Sequence, residues 1–131
     1  VIMSDLSTTL TDKEIQQIAE KDDFHIAPYR ADGETFGTPT WIWVVETDGE
    51  LFVRAYNGIS SRWYQSAKEQ KAGKIEAAGM KKKVRFELIS DHKLNEKIDE
   101  AYRKKYSSSP YLNSMIRSRA KAATVRILPG E

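Results

Sequence analysis

The sequence predicts an α+β fold: about six short, mostly antiparallel strands forming a small barrel, with helices at its periphery. Three observations carry this expectation. Apolar residues alternate with period two in several short runs, the pattern of half-buried strands. Turn signals at Asp48-Gly49 and Gly79-Met80-Lys81-Lys82 join neighbouring runs too closely for parallel crossovers. Stretches with helical periodicity lie between the strands.

The 131 residues suit one domain with one hydrophobic core, and 40% apolar with 31% charged residues is a globular composition. Residues 1–10 read as a loose lead-in. The absence of cysteine excludes disulfides, thiol catalysis and cysteine-ligated metal. No apolar run approaches the roughly 20 residues that span a bilayer, and Val1-Ile2-Met3-Ser4-Asp5 lacks the regions of a signal peptide, so a cytoplasmic location is expected. The net charge of +2 hides an asymmetry: residues 1–50 hold 11 acids and 3 bases, residues 51–131 hold 8 acids and 18 bases. A basic half suits nucleic acid, an anionic cofactor or a partner subunit's acidic half; two oppositely charged faces of one soluble domain explain it equally.

Thr11-Asp12-Lys13-Glu14 is a capping box, and Leu10 with Ile15 makes a hydrophobic staple. Ile15, Ile18 and Ala19 share the buried face of the helix that follows, which ends near Lys21. Phe24 to Arg30 alternates as a strand, but Pro28 cannot donate to a ladder, so an edge strand or one interrupted at Pro28 is expected. Ala31-Asp32-Gly33-Glu34 is a turn. Thr40 to Glu46 is apolar on both faces and predicts one strand covered on two sides. Asp48-Gly49 pairs it with Leu51–Tyr56. A helix over Ser61–Gln70 presents Trp63, Tyr64 and Ala67. Lys74–Ala78 and Lys83–Ile89 form a second hairpin with Val84, Phe86 and Leu88 inward and a solvated basic tip at Lys81-Lys82-Lys83. Leu94, Ile98, Ala101 and Tyr102 define an amphipathic helix over Lys93–Tyr106, with Glu96, Asp99 and Glu100 on its wet face. A short helix over Tyr111–Ser118 and a last strand over Ala122–Leu128 complete the chain.

The chemistry concentrates where the Leu51–Tyr56 strand turns into the next helix. Arg54 lies between Phe52 and Tyr56 on one strand face. Asn57-Gly58 tolerates positive φ, Ser60 or Ser61 can cap the helix, and Arg62 stands at its start. Free helix amides, hydroxyls and two guanidinium groups make a phosphate seat; a well-capped turn is the plainer explanation. His25 and His92 match no metal or nucleophile motif, and no glycine-rich phosphate loop is present.

Gly37-Thr38-Pro39-Thr40-Trp41-Ile42-Trp43, Asp48-Gly49-Glu50-Leu51-Phe52-Val53-Arg54, Ser61-Arg62-Trp63-Tyr64 and Gly73-Lys74-Ile75 together resemble the flavin-binding split β-barrel group. Within it they are similar to the deazaflavin-dependent nitroreductase-like proteins and to the bacterial DUF2255 family. The resemblance spans roughly residues 12–128. It implies Arg54, Asn57, Ser60, Ser61 and Arg62 as phosphate contacts of FMN, with deazaflavin F420 or no cofactor as alternatives. Thr40, Trp41 and Ile42 would lie along the ring, with Trp63 and Tyr64 as the aromatic pair at the helix start. An oxidoreductase-like protein holding its cofactor at a barrel edge or homodimer interface is the implied function. The alternative is a non-enzymatic interaction module whose cleft Trp41 and Trp43 close. A homodimer is also expected from Phe52 and Tyr56, read as an outward apolar face. Nucleic-acid binding through the basic C-terminal third trails both readings.

Overall fold

The computed structural model describes residues 7–130. Seven strands form one antiparallel sheet: β1 (His25–Pro28), β2 (Thr40–Trp41), β3 (Val44–Thr47), β4 (Glu50–Arg54), β5 (Ala72–Ala77), β6 (Met80–Ile89) and β7 (Thr124–Pro129). Their order is β2-β1-β5-β6-β7-β4-β3. The two edge strands, β2 and β3, are therefore consecutive in the chain, separated only by Ile42 and Trp43. A flat seven-stranded sheet would hold its edges about 29 Å apart, whereas the step from Trp41 to Val44 spans at most about 10 Å. The sheet must curl until its edges meet. The fold is an α+β split barrel.

That closure corrects the expectation of one strand over Thr40–Glu46. The segment breaks at Ile42-Trp43, and its two halves pair with opposite edges: Thr40-Trp41 with β1, Val44–Thr47 with β4. Ile42 donates its amide to Phe24 O at the break. β1 is not an edge, since it lies between β2 and β5, and it ends at Pro28. The Asp48-Gly49 turn holds both residues at positive φ (54° and 80°), as a tight hairpin requires.

Alternation along β3 and β4 produces two cores. Val44, Leu51, Val53 and Ala55 face the barrel interior with Phe24, Ile26, Val84, Phe86 and Ile127. Val45 and Phe52 face outward, where helix α3 (His92–Lys105) and the short helices α4 (Leu112–Ile116) and α5 (Ser118–Lys121) cover them. Phe52 is thus fully buried within the chain and is not an apolar face awaiting a partner. Helix α1 (Asp12–Glu20) has the full capping box and sets Ile18 into the interior. Helix α2 (Arg62–Gln70) buries Trp63, Tyr64 and Ala67.

Two details depart from the sequence pattern. Leu88 shares the parity of Val84 and Phe86 but lies near the end of β6, 37% exposed. Lys82, expected in a solvated tip, has the inward parity and is buried, with its ammonium 2.7 Å from Glu14 and donating to Ser7 Oγ at 3.1 Å. Lys82–Glu14, Lys97–Asp48 and Arg126–Glu50 all join a base of the second half to an acid of the first, so part of the charge asymmetry is neutralised inside one chain.

Candidate functional site

Arg54 ends β4 with its side chain on the outer face, and among the described residues it is the largest fully buried side chain. A sealed guanidinium needs a partner for every donor, and this one has five. Nε donates to Thr124 Oγ1 at 2.9 Å. One terminal nitrogen donates to Asp99 Oδ1 at 2.6 Å and Met115 O at 3.1 Å; the other donates to Asn95 O at 3.2 Å and Asn95 Oδ1 at 3.0 Å. Arg54 therefore ties β4 to β7, α3 and α4. This corrects its expected role as a phosphate contact, because no N–H is left to offer. It also corrects the wet-face reading of Asp99, which is 6% exposed and accepts from Lys121 on its second oxygen at 2.8 Å.

By anchoring Met115, Arg54 fixes one wall of an apolar cleft of about 370 Å³ lined by Trp41, Ile42, Trp43, Arg54, Tyr56, Tyr111 and Met115. This lies within the range of roughly 300–1,000 Å³ typical of small-molecule sites. Two aromatic side chains that could have filled the space are held aside. Trp43 stacks on Tyr106, with ring centroids 3.9 Å apart and planes 4° from parallel. Trp41 donates its indole N–H to Asp22 O at 2.8 Å, and the residue is 51% exposed. Tyr56 and Tyr111 meet edge-to-face at 6.2 Å on the far side. Below, Tyr102 and Tyr106 donate to Trp43 O and to Asp22 Oδ1. Burial pushes both phenols well above their ordinary pKa, and for Tyr106 the Asp22 carboxylate adds to the effect, so both stay protonated donors.

The remaining expected site residues separate into two groups. Thr40, Arg62 and Trp63 line a second cleft of about 290 Å³ with Arg30, Thr38 and Ser66. Asn57, Ser60 and Ser61 line neither cleft: Ser60 donates to Asn57 O within a 3₁₀ turn (Gly58–Ser60), and Ser61 takes the N-cap position of α2 without a side-chain cap bond. So the structure brings Trp41, Ile42 and Arg54 together and sets the α2 start apart. Tyr64, the second of the expected aromatic pair, is buried in the barrel core.

The family profile described as "Uncharacterized protein conserved in bacteria (DUF2255)" matches residues 14–127. The chain belongs to the DUF2255 family. No curated protein matches the sequence. A crystal structure from Listeria innocua, provisionally assigned as a pyridoxamine 5′-phosphate oxidase, superposes with a TM-score of 0.61 at 10% identity, covering 92% of this chain and 93% of that one. At that identity the likeness establishes the fold, and the DUF2255 chain shares the split barrel.

In this DUF2255 domain, Asn95, Asp99 and Met115 were not among the site residues expected from the sequence. One signal for them was present. Asn95 and Asp99 lie four apart, in register with Ile98 and Tyr102 on the buried stripe of α3. Polar residues on an apolar stripe, together with an arginine on a strand buried on both faces, mark a buried pair.

Proposed function

We propose that this DUF2255 protein is a flavin-binding, oxidoreductase-like split barrel that takes FMN, or its deazaflavin relative F420, with the ring in the Trp41–Tyr111 cleft. The observation that carries the reading is the open apolar cleft of about 370 Å³ with four aromatic side chains in its walls. Flat rings favour stacked and edge-on contacts of this kind. Trp41, Ile42, Trp43 and Tyr111 would flank the ring, and the Arg54 network would hold the floor rigid. A bound flavin supplies hydride and electron transfer, while the protein positions it and keeps water from one face. That Trp41 and Trp43 are held aside favours this reading over a non-enzymatic module with a closed cleft.

The test is a titration of the purified chain with FMN, riboflavin and F420, following tryptophan emission and flavin absorbance. Saturable quenching at micromolar ligand, weakened about tenfold by Trp41→Ala, is expected. The reading fails if none of the three perturbs either signal at about 1 mM, a concentration that detects only about 4 kcal/mol of binding. A homodimer is proposed alongside, with the exposed Trp41, Tyr56, Ile59 and Tyr111 as its face.

A further inference from the structure

The aromatic cleft has no free cation in its wall, because Arg54 uses all five donors internally. A phosphate-bearing ligand must find its positive charge next door. On the Tyr56 side, Arg119 lies over the Tyr56 ring, 5.8 Å from its centroid. Beyond it a cleft of about 320 Å³ is lined by Ser114, Arg117, Ser118 and Arg119.

Several features leave this cleft positively charged. Residues 101–130 contain no acid. Among the described residues, neither Arg117 nor Arg119 forms an ion pair. Asp99, the buried acid of α3, has its oxygens on Arg54 and Lys121. Arg119 is also held in place. Gly58, at φ +74°, approaches so closely that an added Cβ would stand 2.6 Å from Arg119 Cγ and 2.9 Å from its carbonyl oxygen.

The cleft at the start of α2 is the competing seat. It holds Arg62 and Arg30, but Asp32 stands beside Arg30. The amides of Thr35 and Glu34 and the Thr35 hydroxyl bind that carboxylate and bring its pKa down to about 2, so it stays negative and opposes an incoming anion. None of the rings at the far side of the aromatic cleft lines that space.

We infer that the anionic end of the ligand, a phosphate monoester carried by a flat aromatic ring system, seats between Arg117 and Arg119, with the Ser114 and Ser118 hydroxyls as further donors. The inference rests on the flavin reading of the aromatic cleft and adds the residues that distinguish a phosphorylated ligand from its dephosphorylated parent.

The experiment titrates the full chain with FMN and with riboflavin, by tryptophan quenching, in the wild type and in Arg117→Gln, Arg119→Gln and Arg62→Gln. Urea midpoints accompany each variant. The wild type should prefer FMN. Arg117→Gln and Arg119→Gln should each lose roughly tenfold to hundredfold in FMN affinity while riboflavin affinity stays within about twofold, as expected for one charge-assisted contact. Arg117→Gln carries the test if Arg119→Gln disturbs the fold through its contacts with Tyr56 and Gly58. Equal binding of riboflavin and FMN by the wild type overturns the anion seat and leaves the aromatic cleft standing. A loss confined to Arg62→Gln overturns it in favour of the α2 start. Failure of both ligands to bind overturns the cleft reading itself.

Discussion

Asp99→Asn is the most informative single change in this protein. Arg54 and Asp99 meet at 2.6 Å with side-chain exposures of 0% and 8%. The amide keeps the shape of the carboxylate but removes the charge opposite a sealed guanidinium, whose other acceptors are all neutral. Breaking a buried pair from one side costs about 3–5 kcal/mol, a large share of the roughly 5–15 kcal/mol that stabilises a domain. Lys121 supplies the control. It reaches the same carboxylate at 2.8 Å, but its side chain is 36% exposed, so Lys121→Ala should cost about 1 kcal/mol or less. Urea unfolding measures both, since a chain of this length is expected to unfold in one step. The double change Arg54→Met/Asp99→Leu should be less destabilised than Asp99→Asn, because it removes both charges and fills the space with apolar atoms. If Asp99→Asn unfolds at the same urea concentration as Lys121→Ala, the charge of Arg54 is not balanced by Asp99 and the account of the site floor is wrong.

Glu14→Gln should cost about 1–3 kcal/mol by leaving the buried Lys82 with only Ser7 as a partner. The Lys82 hydrogen bond, with the Thr11 amide behind it, lowers the Glu14 pKa. The stabilisation is therefore full above the unfolded-state value of 4.5 and disappears as pH falls through the depressed folded value, which acid unfolding of wild type against Glu14→Gln can detect. For Asp32, a carbon-detected NMR titration should return a pKa of about 2, and a value at the ordinary 3.8 would show that the Asp32–Thr35 turn is not formed in solution. Gly58→Ala should destabilise the protein by about 1 kcal/mol or more through its positive φ and should shift the Tyr56 ring resonances by displacing Arg119. Light scattering at micromolar concentration should return a dimer that Tyr111→Glu dissociates; a wild-type monomer would leave Trp41, Tyr56 and Tyr111 to the ligand alone.

Where neighbours in sequence decide the structure, the chain by itself determined it. The Thr11–Glu14 capping box, the Asp48-Gly49 hairpin and the alternation that sends Val53 inward and Phe52 outward depend on one turn or one strand face, and all three stand in the fold. The antiparallel barrel follows from the same short connections. Tertiary structure decided what long-range closure controls. Thr40–Glu46 reads as one strand in any local window, yet curling the sheet forces its two ends onto opposite edges and opens the aromatic cleft at the break. Arg54 reads as a free cation until α3 brings Asp99, 45 positions away in sequence, against it. Lys82 reads as part of a solvated tip until the capping helix places Glu14 opposite. Periodicity shows which face a side chain takes; only the packed chain brings a distant partner to that face, and for a charged group the partner decides whether it meets ligand or protein.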